Sequence, residues 1–284
     1  MVIIQKRTGR FANRLLLFSK FIANSIEHNY ELINPCFYEY RKYFKSTREN
    51  DFGDFSISVE LPYSIPFHLF SMSTTPLSWI LPKTAIYEFV VANHQNPVDM
   101  TESAFYERAV AKTVFARGWN FMERENIVKH SHIIRKFFTP DNKVLSVANE
   151  NIKNLKNQCD TVVGVHIRRG DYRKWQNGKF FYTDEVYLDK MMQLKKILNK
   201  KGKTPGFLIS SNENIEPNHF DSVPVRMAAG SELQDLYSLS MCDFILGPPS
   251  TYSMWASFYG QTQVHFIRSE KEKIKLESCS RIMH

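Results

Sequence analysis

Two adjacent arginines are the residues with the clearest chemical potential in this sequence. Arg168 and Arg169 follow the apolar, β-branched run Thr161–Ile167, whose continuous hydrophobic pattern is typical of a buried strand in a parallel sheet. Ligands of open α/β sheets bind just beyond the carboxyl ends of the strands. Arginines are costly to bury without an anionic partner, and their planar guanidinium groups match the oxygens of a phosphate or diphosphate. The sequence therefore predicts an anion site at the end of this strand.

A second candidate anion site follows another predicted strand, Asp243–Leu246. The turn that begins at Gly247 leads into a predicted helix. Ser250, Thr251 and Ser253 would place hydroxyl and backbone N–H groups at the N-terminus of that helix, where a phosphate is favoured. Ordinary N-capping would explain the same residues if the segment stood alone. Because the arginine-bearing strand is predicted in the same sheet, a shared phosphate site is the favoured interpretation.

The elements that position these residues differ between the two halves of the chain. The first half opens with a strand, Met1–Gln5, followed by a turn and a helix; short strand-like pieces come next, and helices are predicted over Ser103–Arg117 and Ile127–Phe138. In the second half strands alternate with helices, which predicts a parallel Rossmann-like sheet. We therefore predict two domains, residues 1–140 and residues 141–284.

Composition limits the class of protein. The apolar fraction of 43% and the charged fraction of 23% are ordinary for a globular protein. The net charge of +8 favours an anionic partner, which could be nucleic acid, a membrane surface or an acidic small molecule. The four scattered cysteines form no metal-binding pattern and indicate a reducing compartment. Since no apolar run approaches the ~18 residues of a membrane span and no signal peptide is evident, we expect a cytoplasmic protein.

Three segments carry a family resemblance. HIRRGDY occupies His166–Tyr172, the segment from Glu232 to Gly260 contains ELQDLYSL followed by STYSMW, and GRFANRLLLF occupies Gly9–Phe18. They resemble the H-x-R-R-x-D motif, the acidic–leucine helix with its S-T-F-S-x-W segment, and the N-terminal G-x-x-x-N segment of the α-1,2-fucosyltransferases, glycosyltransferase family 11. This family belongs to a superfamily with α-1,6- and protein O-fucosyltransferases. The segments match in order and span almost the whole chain.

The resemblance implies an α/β GT-B architecture, in which two Rossmann-like domains face a cleft. It assigns the acceptor side to residues 1–140 and GDP-fucose binding to residues 141–284. The implied activity is that of a hexosyltransferase of carbohydrate biosynthesis, which moves L-fucose from GDP-fucose to a glycan hydroxyl with inversion. An α-1,2 linkage onto galactose is the favoured form. GDP-fucose is a substrate, and no cofactor is expected.

Motif position also implies roles for individual residues. Arg168 would contact the diphosphate, and Arg169 would support the site. The other implied donor-binding residues are His166 and Asp235 at the nucleotide end, Ser250, Thr251 and Ser253 at the β-phosphate, and Gly9 and Asn13 in the N-terminal domain. Asp235 would accept hydrogen bonds from the N–H groups of guanine.

The chemistry of the leaving group bears on metal use and on the general base. The sequence contains no D-x-D motif, and Arg168 with helix-terminal N–H groups would stabilise the charge on departing GDP. We therefore expect a metal-independent reaction without a metal site. Asp171 is the candidate general base, and an ion pair that orients Arg168 or Arg169 is the alternative interpretation.

Three alternatives to this activity remain open at the level of sequence. The protein could form another linkage or use a protein acceptor, or it could bind a nucleotide sugar without catalysis. Nucleic-acid binding is suggested only by charge, and no nucleic-acid motif is present. The expected partners are GDP-fucose and a glycan acceptor, with no nucleic acid and no membrane span, while peripheral association with a membrane is left open.

Overall fold

A computed structural model of the chain describes residues 1–283 and, except at residue 64, their side chains. The chain divides into two compact units, residues 1–141 and residues 142–282. Each unit contains a five-stranded sheet in which every pair of neighbouring strands is parallel. None of the helices among the described residues combines the length and the apolar character needed to cross a bilayer.

The first unit is built on five parallel strands in the order β3-β2-β1-β6-β4. Its helices and strands are, in chain order, β1 (Val2–Ile4), α1 (Phe11–His28), β2 (Leu32–Ile33), α2 (Lys45–Arg48), β3 (Ile57–Ser58), α3 (Phe67–Ile80), β4 (Tyr87–Ala92), β5 (Val98–Asp99), α4 (Ser103–Ala111), β6 (Thr113–Gly118), β7 (Phe121–Met122), α5 (Glu125–Lys129) and α6 (Ser131–Phe137). Strands β5 and β7 form a separate parallel pair. Helix α1 ends where Asn29 adopts a left-handed conformation and donates its backbone N–H to the Ser25 carbonyl.

Two predictions for this unit are wrong in instructive ways. The helix predicted over Ser103–Arg117 ends at Ala111, and the following residues form β6 between β1 and β4. The β-branched and aromatic residues Thr113, Val114 and Phe115 favour a strand, and pairing on both sides satisfies their backbone groups. Helix α3 lies in a region where we expected only loops and small strands.

The second unit has the strand order β10-β9-β8-β11-β12. Its elements are α7 (Asn142–Lys156), β8 (Thr161–Ile167), α8 (Asp184–Lys200), β9 (Pro205–Ser211), β10 (Val225–Met227), α9 (Glu232–Ser240), β11 (Phe244–Gly247), α10 (Thr251–Gly260) and β12 (Gln263–Phe266). Counted within the unit, this is the order 3-2-1-4-5 of a Rossmann sheet. The predicted parallel alternation of strands and helices is confirmed here.

Strand β8 lies at the centre of this sheet, and all seven of its residues are buried. It pairs with β9 on one side and β11 on the other. The side chains of Val163 and Val165 pack with Tyr187 and Met191 of α8 in one apolar cluster. The order of strands reverses between β8 and β11, and this reversal leaves a crevice at their carboxyl ends, where Rossmann sheets bind ligands.

Gly247, the last residue of β11, permits the close approach of the two strands. A Cβ atom at this position would lie 2.7 Å from the carbonyl oxygen of His166 on β8. Because that neighbour is backbone, the clash cannot be relieved by a side-chain rotation. The absence of a side chain at Gly247 therefore leaves the room that the backbone of β8 needs beneath the crevice.

We predict that Gly247→Ala lowers the free energy of unfolding by about 1–3 kcal/mol, the usual range for overpacking. The measurement is the midpoint of urea denaturation. Gly53→Asn is the control, since a Cβ there would meet nothing within 4 Å and Asn tolerates its φ of +65°. Equal midpoints for the two variants would contradict the assigned contact.

Candidate functional site

The crevice between β8 and β11 brings together two loops that the sequence separates by about 80 residues. The Tyr172 hydroxyl, in the loop after β8, donates to the Pro249 carbonyl after β11 at 2.5 Å. Beneath them, His166 Nδ1 lies 2.8 Å from the Ser253 hydroxyl oxygen on α10. These two hydrogen bonds fix the arginine loop against the N-terminus of α10.

His166 is a buried, neutral residue in this structure. Burial, together with the nearby charge of Arg168, lowers the pKa of its imidazole to about 3. Its ring packs on Tyr252 with centroids 4.8 Å apart and bonds with Ser253, which is itself fully buried. The structure therefore gives His166 and Ser253 a role in positioning α10, and direct contact of either with a nucleotide stays a prediction.

Arg168 is the residue in the crevice with hydrogen-bonding capacity to spare. Its Nη2 lies 2.8 Å from Asp171 Oδ1, and its guanidinium carbon lies 5.6 Å from the centre of the Tyr172 ring. Its Nε is buried and has no hydrogen-bond partner among the described residues. A guanidinium has five N–H donors, and a buried donor without a partner is unfavourable. An anion in the crevice would satisfy this group.

Arg169 has a different environment from its neighbour. Its Nε donates to the Tyr182 carbonyl at 3.1 Å, and its Nη2 forms an ion pair with Asp184 at the start of α8. Its backbone N–H donates to Asn212 Oδ1 at 2.9 Å. With only 12% of its side chain exposed, Arg169 stabilises the loop, and its contribution to donor binding stays a prediction.

Asp171 forms the ion pair that was one of its two predicted roles. Its carboxylate contacts Arg168, while 46% of its side chain remains exposed. The observed contact favours orientation of the arginine. The role of general base stays a prediction.

Ser250 and Thr251 lie at the N-terminus of the ten-residue helix α10. Ser250 is the N-cap, and its hydroxyl accepts a hydrogen bond from the Tyr252 N–H at 3.2 Å. Both residues are half-buried beside the arginine loop. The first-turn N–H groups and the helix dipole favour an anion at this position, which is the same crevice that Arg168 faces.

Asp235 lies on α9 near the end of β9. Burial raises the pKa of its carboxyl to about 6, and a hydrogen bond with Ser210 partly offsets that effect. Its Oδ1 is buried without a hydrogen-bond partner among the described residues. The buried oxygen is therefore available to accept from a ligand. Sequence reasoning missed Ser210 and Tyr172, although Ser210 lies at a strand end, which is a signal for a binding site.

Gly9 and Asn13, the other two predicted residues, lie together in the first unit. Gly9 has a φ of +67°, and a Cβ on it would lie 2.3 Å from Asn13 Nδ2, so the turn requires glycine.

A pocket of about 390 Å³ also lies in this unit, beyond the ends of β2 and β3. Tyr38, Glu60 and Phe67 are among the residues that line it. Within residues 1–283, no three His, Cys, Asp or Glu side chains are grouped so that they could hold a metal ion.

The sequence model of a known family matches more than half of the chain. Residues 105–276 match the family described as Glycosyl transferase family 11. The chain belongs to this family. The match includes β8 with the arginine loop after it, α9 with Asp235 and the N-terminus of α10. It confirms the predicted family, while the segment Gly9–Phe18 lies outside the matched residues.

Individual proteins match the chain over a shorter range. Galactoside alpha-(1,2)-fucosyltransferase 2 of Pongo pygmaeus is 29% identical over 142 residues, which are 45% of this chain and 40% of that protein. Galactoside alpha-(1,2)-fucosyltransferase 1 of Rattus norvegicus is 32% identical over 110 residues, which are 34% and 28% of the two chains. The chain thus matches less than half the length of these relatives.

Solved structures show the same fold at low sequence identity. A mutant of Arabidopsis thaliana FUT1 in complex with GDP has a TM-score of 0.65 and 12% identity, over 99% of this chain and 73% of that one. NodZ alpha-1,6-fucosyltransferase soaked with GDP-fucose has a TM-score of 0.54 and 13% identity, over 98% and 96%. The predicted α/β class of the GT-B fucosyltransferases is confirmed.

We predict that Arg169→Gln is more destabilising than Arg168→Gln. Loss of Arg169 removes its bonds to the Tyr182 carbonyl and to the mostly buried Asp184, which keeps only its contact with His219, at a cost of about 2 kcal/mol, whereas Asp171 is exposed and its loss of an ion pair costs under about 1 kcal/mol. Urea denaturation of both variants measures the difference. An equal loss of stability would show that the two arginines are structurally equivalent.

Proposed function

We propose that this family 11 protein transfers L-fucose from GDP-fucose to a glycan hydroxyl. The observation that carries the proposal is the incompletely bonded guanidinium of Arg168 beside the N-terminus of α10, in the crevice where a Rossmann sheet binds nucleotides. Relatives named as galactoside alpha-(1,2)-fucosyltransferases and neighbours crystallised with GDP or GDP-fucose favour this donor.

In the proposed mechanism, the bond between fucose C1 and the β-phosphate oxygen breaks as the acceptor oxygen attacks C1 from the opposite face. The anomeric configuration inverts, and the acceptor proton passes to a base. Arg168 and the N-terminal N–H groups of α10 stabilise the negative charge that develops on GDP. Because these groups supply the stabilisation, we propose that the reaction needs no metal.

We propose that the acceptor is a galactose-terminated glycan, fucosylated in α-1,2 linkage, and that the first unit binds it. The pocket lined by Tyr38, Glu60 and Phe67 offers aromatic faces and a carboxylate, which suit the apolar face and the hydroxyl groups of a pyranose. A nucleotide-sugar-binding protein without catalysis is the second candidate, since the donor groups alone would support it.

The first test is the thermal stability of the protein with GDP. We expect GDP to raise the melting temperature, because a ligand that binds only the native state stabilises it. Arg168→Gln should abolish this shift. Arg173→Gln is the matched control, since Arg173 lies in the same loop but is exposed and pairs with Glu213. No shift with millimolar GDP would refute the donor assignment.

A second measurement separates transfer from binding. GDP release from GDP-fucose is followed with a panel of galactose-terminated and other acceptors, with and without EDTA. The proposal requires release that depends on a galactose-terminated acceptor and continues in EDTA. A thermal shift without release by any acceptor would support the binding protein, and loss of release in EDTA would contradict metal independence.

Asp235 makes donor affinity depend on pH. Its carboxyl has a pKa of about 6, and only the carboxylate accepts well from two guanine N–H groups. We therefore expect affinity for GDP-fucose to rise by about tenfold between about pH 5 and about pH 7 as Asp235 ionises. GDP-fucose is the suitable ligand because its diphosphate, esterified at both ends, does not titrate in this range. Calorimetry on Asp235→Asn should show weak binding with a flat profile, and a wild-type slope in that variant would exclude Asp235.

A further inference from the structure

Helix α3 of the first unit has an apolar face that nothing in the described structure covers. Its members recur at the three- and four-residue spacing of one side of a helix, and we call this set the α3 face: Leu69, Met72, Pro76, Trp79 and Ile80. All are exposed, including 79% of Trp79 and 81% of Ile80. Contiguous apolar surface of this kind marks an interaction site in soluble proteins.

The opposite side of α3 fixes the helix against the parallel sheet. Phe70 packs with Ile3 of β1, and its ring lies 6.1 Å from that of Phe115 on β6. Thr74 is buried and accepts a hydrogen bond from Gln5 Nε2 at 2.9 Å. Apolar residues therefore lie on both sides of the helix, but only the side that carries Phe70 and Thr74 is buried. The α3 face does not contribute to the core.

The charges around the α3 face suit an anionic surface. The sequence from Leu61 to Tyr87 contains no Asp or Glu, and Lys83 follows the helix. Lys83 lies 3.9 Å from Glu88, which also pairs with Arg108 and Lys112, so this cluster keeps an excess of positive charge. At the other end of the helix, the guanidinium carbon of Arg7 lies 4.8 Å from the centre of the Phe67 ring. Arg7 pairs with Glu39, which Arg14 also contacts, so this cluster carries one more cation than anion.

We propose that the α3 face binds the surface of an anionic lipid bilayer. Apolar side chains on one helix face with cations at its edges are typical of helices that lie in the membrane interface. Trp79 near one end, and Tyr63, 97% exposed, just before the other, are residue types enriched at that depth. With 14 residues, α3 is too short to span the ~20 residues of a hydrocarbon core, so the attachment is peripheral.

The area of the α3 face argues against a second copy of the chain as its partner. Leu69, Met72, Trp79 and Ile80 are 52% to 81% exposed, so with about 150–200 Å² for each large apolar side chain the face presents about 500 Å² of accessible surface. A stable protein interface buries about 800 Å² on each partner. A bilayer has no such requirement for matched shape and area, because the apolar side chains insert individually.

Sedimentation with phospholipid vesicles tests this proposal on the full chain. We expect binding to vesicles of phosphatidylcholine with phosphatidylglycerol, weakened by salt, and weaker binding to phosphatidylcholine alone. The double variant Trp79→Ser with Ile80→Ser should lose affinity by about tenfold or more, since two apolar side chains no longer insert. Val110→Ser with Met192→Ser is the matched control, because it removes two exposed apolar side chains outside the α3 face.

Three results would overturn the proposal: no vesicle binding by the wild-type protein, equal losses in the two double variants, or a concentration-dependent dimer in solution that only the Trp79/Ile80 variant loses. The last result would identify a second copy as the partner. The thermal shift with GDP is measured in all variants. It reports that they are folded and tests the donor assignment separately, so failure of one proposal is distinguishable from failure of the other.

Discussion

The parallel pairing of β8 with β11 is the constraint on which the candidate site depends. These strands are neighbours although about 80 residues separate them, and Gly247 lets them approach at His166. The reversal of strand order at this pair opens the crevice. The hydrogen bond between His166 and Ser253 then fixes α10 over the same strand. Without this pairing, Arg168 and the N-terminus of α10 would not lie in one crevice, as the proposed anion site requires.

The two arginines show how adjacent residues of the same type acquire different functions. Successive side chains at the end of a strand point in different directions, so Arg168 faces the crevice side while Arg169 bonds with Tyr182 and Asp184. The second arginine stabilises the loop that carries the first. Reversible binding of an anion requires a cation that keeps hydrogen-bond donors for the ligand. It also requires a loop whose own hydrogen bonds hold that cation in place.

Much of the second unit could be predicted from the sequence, because each buried parallel strand is a local run of apolar residues. Strand β8 coincides with the predicted run Thr161–Ile167. The partners of Arg169 and the bond between Ser210 and Asp235 could not be predicted, since loops bring these residues together. Strand β6 was mistaken for helix because its apolar residues follow those of α4 without a turn signal between them. Only its pairing with β1 and β4 shows that this segment is a strand.

The buried imidazole and the buried carboxyl of the second unit have a joint consequence for its response to acid. The pKa of His166 is lowered from 6.5 to about 3, so unfolding takes up a proton between these values and stability falls with acid. The pKa of Asp235 is raised from 3.8 to about 6, so unfolding releases a proton over much of the same range. The two proton exchanges oppose each other between about pH 4 and about pH 6. The contributions of these two groups to the pH dependence of the unit's stability therefore largely cancel in that range.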